Sequence, residues 1–237
     1  MDIRDGFPWY GQKIGVLVFS GTSPRIPGDP GHAHTFSYPV CYGVVEGTFA
    51  DLIDGSEQIK QHLIDTVTAL KAAGVEGIVG DCGLMSLYQD ELGSLCGLPV
   101  ITSSLSLIPF IWNMLGREGP IGVITGHSQL LKQTHLTHSG WTDDIKLVIQ
   151  GMEKESHFAE IVINGGKHLD PIRMQQDLLS ATKKLLEQNS TIRAIILECS
   201  NLSSYSKTVY EMTKLPVFDI IAVANLLSYA LNPPDYR

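Results

Sequence analysis

Charge is scarce in this chain, and the shortage is lopsided. Only 18% of the 237 residues are charged, and 17 Lys plus Arg face 25 Asp plus Glu, a formal net charge of −8. No basic stripe exists to neutralise phosphates, so nucleic acid is not an expected partner. Long apolar runs are missing too, since none approaches the ~18 residues a membrane-spanning helix needs. Met1 to Phe7 carries charge where a secretory leader would turn apolar, so no membrane partner is expected and the cytoplasm is the expected compartment. Cysteine is limited to Cys41, Cys82, Cys96 and Cys199. In a reducing compartment these are thiols, and no C-x-x-C pair or regular Cys/His spacing points to zinc. A metal site would rest on His135 and His138 alone, so none is expected.

What the chain does have is a repeat. Gly77-Ile-Val-Gly-Asp-Cys82 is matched by Ala194-Ile-Ile-Leu-Glu-Cys199: an apolar run, an acid, then a cysteine. A tyrosine follows six residues after each cysteine, at Tyr88 and Tyr205, and Leu-Pro-Val begins sixteen residues after each, at Leu98 and Leu215. A shared cysteine, tyrosine and Leu-Pro-Val at fixed offsets marks two homologous half-sites. Ile121-Gly-Val-Ile-Thr125 likewise echoes Ile14-Gly-Val-Leu-Val18.

In chain order, Lys13 to Phe19 is a continuous apolar run of the kind found in buried parallel strands. Ser20-Gly21-Thr22 follows at its carboxyl end, where open α/β sheets bind ligands; its hydroxyls and amides suit a carboxylate, with a plain turn as the alternative. Residues 21–39 are rich in Pro and Gly and form a long irregular loop. As a lid, this loop would bring Asp29, His32, Phe36 or Tyr38 to the site. A helix starts at the Ser56 N-cap, carries Ile59, Leu63, Val67 and Leu70 on one face and stops at Gly74. Strands Gly77–Gly80 and Pro99–Thr102 precede the polar positions Gly83, Ser103 and Ser104. Beyond Gly116–Pro120 a second unit opens, with Thr125, Gly126 and His127 at its first strand end and Ser128 as a helix cap. Asp170-Pro171 starts a helix running to about Glu187. Asp219 caps the last helix, and the segment from Leu215 is expected to cross back. Two units result, 1–117 plus 215–237 and 118–214. The alternation of strands and helices predicts two pseudo-symmetric Rossmann-like α/β domains with parallel sheets and a cleft between them.

The paired cysteine segments and the half-domain symmetry resemble the aspartate/glutamate racemase superfamily over essentially the whole chain. Gly80-Asp-Cys-Gly-Leu-Met85, Leu197-Glu-Cys-Ser200 with Tyr205, and Pro27-Gly-Asp-Pro30 with Phe36-Ser-Tyr38 are most similar to the branch holding the algal Alma-type dimethylsulfoniopropionate lyases. The resemblance implies a cofactor-independent enzyme that moves a proton at a carbon adjoining a carboxylate, using Cys82 and Cys199 from opposite faces. It departs from the amino-acid racemases where Gly83 and Ser200 follow the cysteines in place of Asn-Thr and Thr, and where Phe19-Ser20 replaces an Asp-Ser pair.

The chemistry suits thiols. A free cysteine titrates near pH ~8.5, close enough to neutrality for a helix N-terminus to make one a thiolate while the other keeps its proton. Asp81 and Glu198 either tune the thiols or face away from them. The substrate contacts expected are Ser20, Gly21, Thr22, Asp29, Tyr38, Gly83, Ser103, Thr125, His127 and Ser200. The leading reading is an aspartate/glutamate-type racemase or epimerase acting on a small carboxylate, as a homo-oligomeric dimer or tetramer. The alternative is a dimethylsulfoniopropionate lyase, for which Tyr38, Phe36, Tyr88, Trp112 and Asp29 would line a cation site. A non-catalytic binding protein is the third reading.

Overall fold

The computed structural model of the protein describes residues 6, 7 and 9–236. Strands β1 (Ile14–Phe19), β2 (Val40–Val45), β3 (Gly77–Gly80) and β4 (Val100–Ile101) make a parallel sheet in the order β2-β1-β3-β4. Strands β5 (Ile121–Thr125), β6 (Leu147–Gly151), β7 (Ala194–Leu197) and β8 (Val217–Phe218) repeat it as β6-β5-β7-β8. The register repeats as well: Ile14 lies opposite Val40 and Gly77, and Ile121 opposite Leu147 and Ala194. The internal repeat of the sequence is therefore a repeat of structure, and the strands read as unbroken apolar runs because both faces of each central strand are covered.

The helices are α1 (Phe49–Asp54), α2 (Glu57–Ala72), α3 (Gln89–Cys96), α4 (Ile108–Met114), α5 (Gln133–His138), α6 (Ser156–Phe158), α7 (Pro171–Gln188), α8 (Ser206–Thr213) and α9 (Ile220–Leu231). Local chemistry starts the long ones. Ser56 accepts from the Ile59 amide at 3.3 Å, Asp170 from the Ile172 amide at 2.9 Å, and Asp219 from the Ala222 amide at 2.9 Å. The predicted α2 stripe of Ile59, Leu63, Val67 and Leu70 is buried, as is its α7 counterpart of Met174, Leu178, Ala181 and Leu185.

Three cores result. One lies under α2 and one under α7, while a central core joins Ile14 and Val16 of β1, Ile121 and Val123 of β5, Ile108 and Ile111 of α4, and Ile220 and Val223 of α9. Fully burying each such side chain contributes about 1.5–3 kcal/mol, so the halves are welded rather than merely adjacent. The crossing of the C-terminal segment needs correcting. β8 hydrogen-bonds to β7 and stays with the second sheet, and only α9 packs back on β1 and β3. α4 makes the mirror-image crossing, from β4 to β5.

Two other expectations change. Ser128 does not cap a helix: its hydroxyl donates to Glu153 Oε1 at 2.7 Å, and α5 begins only at Gln133. Besides β2, α1, α4 and α8, the sequence reading misses the helical stretch 156–163, which closes with a π turn at Ala159–Ile163.

Candidate active site

β3 and β7 each end by delivering an acid and a cysteine to the carboxyl edge of their sheet. Cys82 then opens a 3-10 turn, Gly83–Tyr88, that runs into α3, and Cys199 opens the equivalent turn, Ser200–Tyr205, that runs into α8. Both cysteines, partly exposed, line one cavity of about 390 Å³. Its polar wall includes Asp81, Glu198, Thr125 and Arg25, and the rings of Phe19, Phe49 and Phe158 supply aromatic surface. The Phe19 and Phe49 rings sit 5.0 Å apart, centroid to centroid.

The half-sites repeat in sequence but not in electrostatics. Asp81 accepts from the Phe19 amide at 2.9 Å and pairs with Arg25 at 2.7 Å. Arg25 pairs at 2.7 Å with Asp29 as well. Burial works against the guanidinium's charge, yet Asp81 and Asp29 together raise its proton affinity above the usual range. Burial pushes Asp81 up to about 6 despite the cation. Among the described residues no cation pairs with Glu198: it accepts from Thr125 Oγ1 at 2.7 Å and from the Gly126 amide, and burial pushes it up. The Glu198 side chain reaches the other half, where it occupies the space a β-carbon on Gly83 would need.

Burial pushes both thiols upward. Asp81 and Glu198 add to this at Cys82, and Glu198 and Cys82 itself add to it at Cys199. The amides of Leu84 and Asn201 oppose these effects without outweighing them. The expectation of a resting thiolate is corrected in direction: among the described residues the doubly paired Arg25 is the cation acting on Cys82, and burial favours the protonated form of both thiols.

Of the predicted contacts, Ser20, Gly21, Thr22, Gly83, Thr125, His127 and Ser200 line the cavity. Asp29, Tyr38 and Ser103 do not. Asp29 is buried behind Arg25, where its carboxylate also accepts from the Gly31 amide at 2.8 Å. Tyr38 turns outward and donates to Asn225 Oδ1 of α9 at 3.0 Å, beside Phe36. Ser103 caps the 3-10 turn Ser104–Leu107, accepting from the Leu105 amide at 3.2 Å. His32, Phe36, Tyr88 and Trp112 also lie off the cavity wall, whose rings are those of Phe19, Phe49 and Phe158.

The loop 21–39 is a strap rather than a free lid. Ser23 Oγ donates to the Ile161 carbonyl at 3.2 Å, and Asn201 Nδ2 donates to Asp29 Oδ2 at 3.1 Å, both across the cleft. Gly28, at φ +101°, lies against the Ser204 backbone, where an added β-carbon would come within 2.6 Å of its Cα. Sequence reasoning missed Arg25 and Asn201. One signal was readable: Asn201 stands two residues after Cys199, where the first copy has Leu84. His135 Nδ1 accepts from the Lys132 amide and His138 faces Asp90 at 2.7 Å; among the described residues no group of three or more His, Cys, Asp or Glu is arranged to hold a metal ion.

No protein-family model matches the chain. Its fold is shared by arylmalonate decarboxylase (TM-score 0.62, 14% identity, 94% of this chain and 95% of that one) and by a putative Asp/Glu racemase from Yersinia pestis (0.58, 17%, 93% and 100%). An allantoin racemase from Pseudomonas fluorescens is similar too (0.59, 16%, 92% and 90%). These three proteins share the two-lobed α/β fold of the chain. Among curated proteins, the chain is 32% identical over 222 residues to a dimethylsulfoniopropionate lyase from Durusdinium sp. clade D, covering 90% of this chain and 73% of that protein. It is 33% identical over 240 residues to dimethylsulfoniopropionate lyase 3 of Emiliania huxleyi (strain CCMP1516), covering 94% of this chain. The chain belongs to the dimethylsulfoniopropionate lyase family, and it spans 61% of the length of that Emiliania relative.

Proposed function

We propose that the protein is a cofactor-independent lyase that eliminates dimethyl sulfide from dimethylsulfoniopropionate or a close sulfonium carboxylate. The observation carrying this reading is the composition of one cavity wall: two cysteines, two acids and three phenyl rings beside one arginine and a small-residue loop. A sulfonium is attracted to aromatic faces and carboxylates. Its carboxylate suits Arg25 and the amide and hydroxyl of Thr22, since the Ser20 and Gly21 amides already donate to the Val45 and Phe19 carbonyls.

In the step itself, a cysteine thiolate takes the proton from the carbon next to the carboxylate. The C–H pair becomes the second bond of the new C=C, and the C–S bond breaks with its pair leaving on sulfur. Acrylate and neutral dimethyl sulfide result, and the thiol returns its proton to solvent. The raised thiols fit this sequence, because a bound sulfonium supplies the positive charge that favours a thiolate. A positioned base contributes about 10²–10⁴-fold to such a step.

A racemase or epimerase is the second reading, favoured by the second thiol: elimination needs one base, whereas inversion needs a donor on the opposite face. Incubation in deuterium oxide separates the two. Dimethyl sulfide in the headspace with acrylate in solution supports the lyase. Deuterium wash-in with inversion of aspartate or glutamate, and no dimethyl sulfide, would replace it with the racemase. No exchange into any carboxylic acid would leave a binding protein.

A further inference from the structure

Asn201 ties the strap to the second cysteine in one orientation only. Its amide nitrogen donates to Asp29 Oδ2 at 3.1 Å, and that carboxylate, paired with Arg25 and accepting from the Gly31 amide, offers nothing but acceptors. The amide oxygen must then face the other way, and there the Cys199 thiol donates to it at 3.7 Å. A hydrogen bond from S–H to a carbonyl oxygen exists only while the proton is present, so the arrangement favours the thiol over the thiolate. Cys82 has the opposite surroundings. Its counterpart of Asn201 is Leu84, which has no acceptor side chain, and among the described residues no side-chain acceptor meets its sulfur. Asp81, Glu198 and the cation Arg25 act on Cys82, whereas Glu198 and Asp29 are the charged groups that act most on Cys199.

We infer that Asn201, locked by Asp29, is a positioning residue that holds Cys199 as the proton-bearing thiol and so assigns the base to Cys82. The inference deepens the proton-abstraction reading and rests on it for the word base. The order in which the two thiols ionise stands independently. In the elimination above, Cys82 takes the α-proton, and Cys199 keeps its hydrogen throughout. In an inversion, Cys199 would deliver that hydrogen to the opposite face. The strap thus breaks the symmetry that the sequence repeat creates.

The test is site-resolved alkylation of the whole protein with iodoacetamide across pH 6–11, with the modified peptides quantified by mass spectrometry. At pH values below both midpoints Cys82 is expected to react several-fold faster than Cys199, because the thiolate is the species alkylated and only the Cys199 proton is held by a side-chain acceptor. Asn201→Leu is expected to raise the Cys199 rate at least about threefold and leave Cys82 unchanged, because only the acceptor for S–H is lost. Asp29→Asn reads the same quantity should the first variant fold poorly, since it frees the Asn201 amide to turn its donor toward sulfur. Faster labelling of Cys199 than Cys82 in the wild type would overturn the inference, and so would variants that leave the ratio unchanged. Labelling needs no turnover, so wild-type protein that shows this order but releases no dimethyl sulfide and exchanges no α-proton would refute the lyase and keep the assignment of the thiols.

Discussion

The carboxylate of Glu198 rests on the α-carbon of Gly83: a β-carbon there would lie 1.9 Å from Glu198 Oε1. One residue from each half-site therefore fixes the other. Gly83→Ala must push Glu198 off Thr125, and a buried carboxylate that loses a partner costs about 1–3 kcal/mol. For a chain of this size that is a fall of roughly 2–12 °C in thermal midpoint, read by calorimetry. An unchanged midpoint would mean that Glu198 has somewhere else to go.

Asp81 gives the stability a pH signature. Its folded-state affinity is raised from 3.8 to about 6, chiefly by burial, so between those values the folded protein holds the proton more tightly than the unfolded chain. Stability therefore declines as pH rises from about 4 to about 6, by on the order of 3 kcal/mol in total, and is flat with respect to this group above that range. Urea titrations of wild type and Asp81→Asn should differ in slope only across that window. Parallel curves there would remove Asp81 as the source.

Cysteine replacements separate the two chemistries. Under elimination with Cys82 as base, Cys82→Ser should lose about 10²–10⁴-fold in dimethyl sulfide release, while Cys199→Ser keeps a measurable rate. Under racemisation both replacements abolish inversion. Gas chromatography of the headspace decides, and equal loss in both would count against elimination by a single base.

The central core predicts cooperative unfolding. Ile111 of α4 packs with residues of both sheets, so Ile111→Ala should cost about 2–5 kcal/mol and shift one shared transition. Two resolved transitions in chemical denaturation would show that the halves unfold separately.

Local chemistry made much of this legible. The α2 boundaries followed from a capping serine and an apolar stripe, the α7 start from Asp170-Pro171, and the cysteine pair from a repeat that no single half reveals. β2 escaped because Cys41-Tyr-Gly interrupts its apolar pattern and an edge strand has less to bury. Residues 156–163 escaped because a three-residue helix running into a π turn has no clean period. Asp29 and Tyr38 were placed on the cavity as residues of a lid and Ser103 as one at a strand's carboxyl end, but Asp29 answers to Asn201, 172 positions away. Arg25 looked like one more residue of a proline-rich loop. Its meaning comes from two buried carboxylates that only the folded chain brings to it.

The exchange of α4 and α9 between the sheets has a consequence for how such a chain can arise. Half of it, ending with a helix after its fourth strand, would leave one sheet face bare and have its own last helix extended away from it. Two identical halves lending each other that helix would cover both faces and bring two identical cysteines to a common cleft, a reciprocal swap of the kind that makes dimers from monomers. Joining the halves in one polypeptide frees each copy to change alone. Leu84 and Asn201, at matching positions, are what that freedom looks like at the site.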